Sequence, residues 1–478
     1  MPVSIASLTS PDPELADPMP VQIYRDLLSA LRDGRLADGA TLPSSRAAAR
    51  ALGLSRTTLI TAYDLLRAEG VLLTRQGAAP KVVAPPSPPP DAQPKGAAPR
   101  PSARGGAMAR DHRQDVYAAD RGVMAPGTPD ETLFPRDEWA LALRRAAQRR
   151  HGEASAYGML HGVPELRQAI AERLTSDRGV RADPQRILIT PGTQASLALL
   201  AQVMTDAGET VAMECPGYAG ARAAFTGAGL SIAPVPVDAE GIAVTAIPDD
   251  ARLIYVTPSN QYPLGYRMSL SRRMALLDHA RRHAALILED DYDSEFLWRG
   301  REIAALAAHG PEQVAYLGSA AKVLIPALRI GWMMLPDALV APMRAAQRNL
   351  GLLVNLHGQY ALAEMMRSGR YRTHLRRITR AYETRGLALA DALADLPGIA
   401  LRPPDGGVQL ALRFCGDQDE GAVLAACGRA GFRPSRLSAS SLGAIRGLIV
   451  GFADATPQRI RGFRDVLAGA LRAHGKAP

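Results

Sequence analysis

Tyr316-Leu317-Gly318-Ser319-Ala320-Ala321-Lys322-Val323-Leu324-Ile325-Pro326-Ala327-Leu328-Arg329-Ile330-Gly331-Trp332 sets one lysine among apolar and small neighbours, with a hydroxyl three residues before it and an arginine seven after. Such a lysine is either a surface residue that snorkels to water or an amine whose pKa desolvation lowers until it acts as a nucleophile. Most lysines are solvated, so the residue alone favours the first reading. The surrounding chain decides between them.

Residues 186–190, 209–213, 253–256, 285–288 and 314–317 are short apolar runs separated by helical patterns. That alternation predicts an α/β domain with a largely parallel sheet covered on both faces. Ligands in such sheets sit at the carboxyl ends of the strands, so the residues after each run carry the chemistry. After the first come Pro191-Gly192-Thr193-Gln194 and an apolar helix, either a plain helix cap or a seat of backbone N–H groups for an anion. After the second comes Tyr218, a stacking platform or a core residue. Glu289-Asp290-Asp291-Tyr292-Asp293 follows the fourth, and acids so crowded are solvated or paired with a cation, whether a metal or a protonated ring nitrogen. The fifth leads into the opening stretch, with Ser319, Lys322 and Arg329. An aldehyde cofactor bearing a phosphate needs an amine, an anion seat, a carboxylate for its pyridine nitrogen and an aromatic plane. All four occur here.

The N-terminal part has a different pattern. Ile23, Leu27, Leu28 and Leu31 recur at helical spacing until Gly34; a second helix fits residues 44–52, with Ser44 or Ser45 as cap; Ser55 caps a third, whose Leu59, Ala62, Tyr63 and Leu66 face inward. Helix, turn at Gly53, helix is the helix-turn-helix spacing, and residues 71–77 with 81–83 read as a small hairpin. Periodicity alone fits a packing module as well as a DNA reader. Nine Lys/Arg stand against eight Asp/Glu over residues 1–83, yet Arg46, Arg50 and Arg56 lie between Asp38 and Asp64 with no acid among them. In that geometry Ser55, Arg56, Thr57 and Thr58 open the last helix toward a major groove.

Residues 84–113 are rich in Pro, Ala, Gly and arginine and read as an unfolded tether. Residues 1–19, acid- and proline-bearing, are expected to be a disordered arm. With 478 residues, 47% of them hydrophobic, the chain is long enough for two or three domains. It carries no run of eighteen apolar residues and no signal-like start, so a soluble cytoplasmic protein without membrane association is expected. Cys215, Cys415 and Cys427 are few and scattered, which indicates reduced thiols, no disulfide framework and no zinc site; no metal ligand is expected. A net charge of +9 suits a polyanionic partner without locating it.

Gly34-Arg35-Leu36, Leu42-Pro43-Ser44-Ser45-Arg46, Leu52-Gly53-Leu54-Ser55-Arg56-Thr57-Thr58, Ala62-Tyr63 and Ala68-Glu69-Gly70 closely resemble the winged helix-turn-helix of GntR-type bacterial regulators. From about 120 to 470 the chain resembles the fold-type I aminotransferases, and as a whole it looks like the MocR-type subfamily of GntR regulators. The resemblance implies a multidomain protein: a small α+β winged helix-turn-helix (20–83), the linker (84–113), and a large α/β aminotransferase-like domain (114–478) with a mostly parallel sheet.

It also implies pyridoxal 5'-phosphate (PLP) as cofactor. Lys322 matches the Schiff-base lysine; Ser319, Arg329, Gly192, Thr193 and Gln194 match the phosphate ligands. Asp290 matches the carboxylate facing the pyridine nitrogen, Tyr292 the phenol near the ring hydroxyl, Tyr218 the stacking aromatic, and Tyr157 the tyrosine that reaches a neighbouring subunit's phosphate. Asn260, in place of the family's usual histidine, completes the cofactor contacts. Operator DNA would be met by Ser45, Arg46, Ser55, Arg56, Thr57, Thr58 and Arg75, although Gly77-Ala78-Ala79-Pro80 departs from the family's usual wing. Tyr262 replaces the usual transaminase asparagine, and Ile449 the arginine that clamps an amino-acid carboxylate, with Arg446 just upstream. The implied function is a PLP-dependent regulator, a homodimer on double-stranded operator DNA, responding to PLP or to a small amine or amino acid. An aminotransferase with an accessory DNA-binding module is the alternative, and a cofactor-free dimerisation scaffold a third reading.

Overall fold

The computed structural model describes residues 3–74, 78–84, 100–109, 123–150, 161–298, 304–443 and 445–474. The chain divides into two compact units, Met1–Arg100 and Pro101–Pro478.

In the first unit, α1 (Met19–Arg32), α2 (Ser45–Leu52) and α3 (Arg56–Ala68) enclose a core of Ile23, Leu27, Ala48, Leu59, Ala62, Tyr63 and Leu66. The Ser44 hydroxyl caps α2 by accepting from Ala47 N, and Gly53 closes it at φ +68°, a left-handed conformation that favours glycine. The Ser55 hydroxyl caps α3, and Tyr63 donates to Pro43 O at 3.0 Å, tying α3 to the start of α2. A two-residue hairpin, β1 (Leu72–Leu73) antiparallel to β2 (Lys81–Val82), follows. The arm expected to be disordered is instead folded onto this core. Ile5 and Leu8 are buried in it, Val3 N donates to Thr41 O, and Gln22 Nε2 donates to the carbonyls of Asp12 and Asp17. The physical reason is that so small a three-helix unit leaves apolar surface uncovered, and Ile5 and Leu8 cover it.

The second unit begins at Pro101 rather than at 114. Ala103–Ala109 within the expected tether forms α4, capped at Gly105 N by the Ser102 hydroxyl. Two of its seven residues are glycine, so propensity alone does not account for it; its Met108 side chain packs on Gly227, with Cγ 3.1 Å from where a Cβ there would be. Residues 85–99 and 110–113 of the tether lie outside the described residues.

An eight-stranded sheet runs in the order β3-β10-β9-β8-β7-β4-β5-β6. Its parallel centre comprises β4 (Thr210–Cys215), β5 (Ser231–Asp238), β7 (Ala251–Val256), β8 (Leu286–Asp290) and β9 (Val314–Ser319). The two-residue β6 (Gly241–Ile242) pairs antiparallel at one edge. Antiparallel β10 (Gly331–Met334) inserts between β9 and β3 (Ile187–Thr190). The five apolar runs read from the sequence are β3, β4, β7, β8 and β9. Side chains alternate across the sheet. Ile187, Ile189, Ile254 and Ile287 pack with α5 (Arg136–Ala147) and α6 (Pro164–Arg178). Leu188, Leu253, Tyr255 and Leu288 pack with α7 (Thr193–Met204) and α8 (Ala219–Ala228). A four-stranded antiparallel sheet, β11 (Ile399–Leu401), β12 (Gln409–Phe414), β14 (Gly447–Gly451) and β13 (Ser435–Arg436), forms the C-terminal part.

Candidate functional site

The alternation along β8 separates its acids. Glu289 continues the Ile287 face, where its carboxylate accepts from Leu306 N and Ala307 N at 2.8 and 2.9 Å, at the start of a short helix. Asp291 takes the hydroxyls of Ser294 and Tyr316 and pairs with Arg178 at 2.9 Å. Asp293 accepts from Asn260 Nδ2 at 2.6 Å. Each of these carboxylates has its own partner, so they do not converge as a metal cluster.

Asp290 is different. It lies on the Leu288 face, 4% exposed, where Tyr255 donates to its Oδ2 at 2.7 Å. Its Oδ1 is buried with no hydrogen-bond partner among the described residues. Burial raises its pKa to about 7; the Tyr255 hydroxyl opposes the shift, the Asp291 charge adds to it, and the Lys322 charge opposes it. A cationic N–H donor would complete a carboxylate so placed, and the protonated pyridine of PLP would be one, so this oxygen fits that group.

Lys322 follows β9 in a turn, half-buried, and its Nζ donates to Gly127 O at 2.5 Å. Its charge also acts on Asp293. The amine therefore stands in the field of two buried carboxylates. The corner expected to seat an anion is assembled by strand register, since Gly331 of β10 pairs with Thr190 on one side and Ser319 on the other. A Cβ at Gly331 would lie 2.7 Å from Gly192 Cα, so the close approach needs glycine. Gly192, at φ +96°, caps α7, and Arg329 Nη1 is 3.8 Å from where its Cβ would be. Thr193 and Gln194 open the helix, and Gln194 Nε2 donates to Gly220 O at 2.8 Å. Ser319 Oγ accepts from Ala321 N, and the exposed Arg329 side chain reaches the same corner from a left-handed residue.

Tyr218 precedes α8 with its ring over Gly220, where a Cβ would lie 2.4 Å from Cζ. Its ring meets Tyr262 edge-on at 5.5 Å, and Tyr262 meets Tyr292 at 6.1 Å. The Tyr292 hydroxyl donates to Asn260 O at 3.1 Å, and burial with the Asp293 charge pushes its pKa well above the ordinary value. Tyr157 lies outside the described residues. Ile449 on β14 is 1% exposed, paired across the sheet with Ala411 and Ser435, while Arg446 is exposed just before the strand. Sequence reading missed Tyr255, Gly127 and Gln409, whose Nε2 is buried without a partner among the described residues and whose Oε1 lies 3.6 Å from where a Gly127 Cβ would be. Tyr255 sits in an apolar strand and reads as core. Pro126-Gly127-Thr128-Pro129 signals only a turn.

In the first unit, Arg46, Ser55, Arg56 and Thr57 are exposed, and Ser45 and Thr58 half-buried. The Ser55 and Thr58 hydroxyls bond to each other at 2.8 Å, which fixes the first turn of α3. Arg46, Arg50 and Arg56 pair with no carboxylate among the described residues. Arg75 lies outside them.

The family pattern "Aminotransferase class I and II" matches residues 127–428, and "Bacterial regulatory proteins, gntR family" matches residues 20–82. The chain is 37% identical over 470 residues to the probable rhizopine catabolism regulatory protein MocR of Rhizobium meliloti, covering 95% of this chain and 94% of that protein. It is 30% identical over 442 residues to the pyridoxine biosynthesis transcriptional regulator PdxR of Corynebacterium glutamicum, covering 91% and 92%. Among solved structures, the α-aminoadipate aminotransferase LysN of Thermus thermophilus superposes with a TM-score of 0.70 at 25% identity, covering 78% of this chain and 98% of that one. With both patterns in one chain and near full-length similarity to these regulators, the protein belongs to the MocR-type group of GntR-family transcriptional regulators, a DNA-binding unit joined to an aminotransferase-like unit.

Proposed function

We propose that the protein regulates transcription as a homodimer on operator DNA, and that its larger unit binds PLP at Lys322 and senses PLP itself or a small amine or amino acid. The observation that carries this reading is Asp290 Oδ1, a buried carboxylate oxygen without a hydrogen-bond partner among the described residues, on a carboxylate that feels the Lys322 charge. PLP supplies an aldehyde that condenses with amines and a ring that withdraws electrons from the carbon it captures. Lys322 offers the amine that anchors the cofactor. Asp290 would accept the ring N–H and keep its proton in place. Gly192, Thr193, Gln194, Ser319 and Arg329 would hold the phosphate, joined by Tyr157 of a second copy; Tyr218 would stack, Tyr292 would meet the ring hydroxyl, and Asn260 would complete the cofactor contacts. PdxR, by its name a regulator of pyridoxine biosynthesis, makes PLP itself a candidate signal.

Ile449 supplies no guanidinium for an amino-acid carboxylate, which favours sensing over sustained transamination. Ser45, Arg46, Ser55, Arg56, Thr57 and Thr58 would meet the operator, together with Arg75, which lies outside the described residues. Full-length protein mixed with PLP should develop the visible absorbance of the lysine-bound cofactor, and Lys322→Ala should not. A colourless parent removes the reading, and sustained turnover with a panel of amino acids replaces sensing by catalysis.

A further inference from the structure

At the amino ends of β7 and β8, away from the carboxyl ends that carry Asp290 and Lys322, α9 (Leu270–Arg282) carries His279 in its last turn and is closed by His283, four residues on. That spacing puts both side chains on one helix face. Their rings stack with centroids 4.5 Å apart at 29°. Asp249, in the turn before β7, adds a carboxylate whose Oδ1 lies 3.4 Å from His283 Nε2. One ligand atom from each of the three residues lies within 4.8 Å of the others. His279 is 5% exposed, and its Nε2 is buried with no hydrogen-bond partner among the described residues. Buried ring nitrogens are normally satisfied, and this one belongs to a side chain that offers a ligand atom to the cluster.

We propose that His279, His283 and Asp249 form a site for one divalent transition-metal ion of the Zn2+ or Ni2+ kind. Two imidazoles and one carboxylate suit such borderline ions, whereas Mg2+ and Ca2+ prefer oxygen ligands alone. Three protein ligands leave a fourth position to water. Burial, with the His283 and Arg282 charges, holds the His279 pKa below its ordinary value, so its lone pair is available at neutral pH. The competing cation is Arg282, whose Nη1 is 3.4 Å from His283 Nε2; its Nε is paired with Asp278 at 3.1 Å, and both side chains are exposed enough to swing away together. The bound ion would tie the end of α9 to the start of β7, so binding would stabilise the fold by linkage.

The test titrates Zn2+ and Ni2+ into untagged full-length protein in PLP-free buffer, by calorimetry and thermal unfolding, alongside Asp249→Asn and His283→Ala. The Asp249 side chain is 83% exposed, so that variant keeps the fold, and circular dichroism verifies both. The parent is expected to bind and to unfold at higher temperature with either ion but not with Mg2+. Each variant should bind about tenfold more weakly or worse and lose the thermal shift. Unchanged affinity in both variants, or no binding by the parent at millimolar ion, overturns the proposal.

Discussion

Asp290 shows how one side chain can be costly alone and useful when paired. Its pKa of about 7 in the cofactor-free fold, against 3.8 ordinarily, means that the folded state holds a proton the unfolded state releases. The stability tied to that proton is present below about pH 4 and lost as pH rises toward 7. Asp290→Asn keeps an acceptor for Tyr255 and cannot ionise. Without cofactor it should be more stable than the parent at pH 8 by up to ~4 kcal/mol, with the gap closing by pH 4. Denaturant titrations at the two pH values check this, and a more stable parent at pH 8 would contradict it. The same variant should bind PLP more weakly, because the amide is a poorer partner for a cationic ring nitrogen. The positions of Lys322, Asp290 and Ser319 at the carboxyl end of the sheet were legible because Asp290 and Ser319 close apolar strands and Lys322 follows one by three residues. Gly127 and Gln409 were not, because only the fold brings these distant segments to the lysine.

Short-range patterns carried the elements of the first unit. α2 and α3 each combine an apolar stripe with a serine cap, and α1 has its stripe but starts after Pro18 with no side-chain cap, so the boundaries of α2 and α3 follow most closely from local chemistry. The arm was misread because its prolines and acids outweigh Ile5 and Leu8 in composition, whereas burial depends on those two side chains. Ile5→Ala should therefore lower stability by about 2–5 kcal/mol, measured by thermal unfolding of the full chain. In the second unit the parallel strands announce themselves as apolar runs. β5 does not, because Pro234 and Pro236 interrupt it, which is tolerated next to the two-residue edge strand β6. β10 is hidden differently: its partner β3 lies far back in the chain, and Gly331 is chosen by contact with Gly192. Gly331→Ala should force β10 from β3, costing about 1–3 kcal/mol and weakening PLP binding through the displaced anion corner. Normal PLP affinity in that variant would separate the corner from the phosphate.

At the scale of the whole molecule, the chain divides into two units with separate cores. Among the described residues no helix is long and apolar enough to cross a membrane. Coupling between the units requires that a ligand bind one arrangement more tightly than another. Family membership was legible in full, because the motifs of both units are local. The effector was not, because Ile449 and Tyr262 report only what the usual transaminase pattern lacks. On the DNA side, Arg56→Ala should lose roughly 1–3 kcal/mol at a cognate operator in gel-shift titrations, and unchanged binding would remove Arg56 as a base reader. The most direct test of the central claim is footprinting of the neighbouring promoter with PLP-loaded and PLP-free protein, alongside Lys322→Ala. The account predicts that loading changes the affinity or extent of the footprint in the parent and not in the variant. An identical footprint in both states of the parent, or the same change in Lys322→Ala, would contradict it.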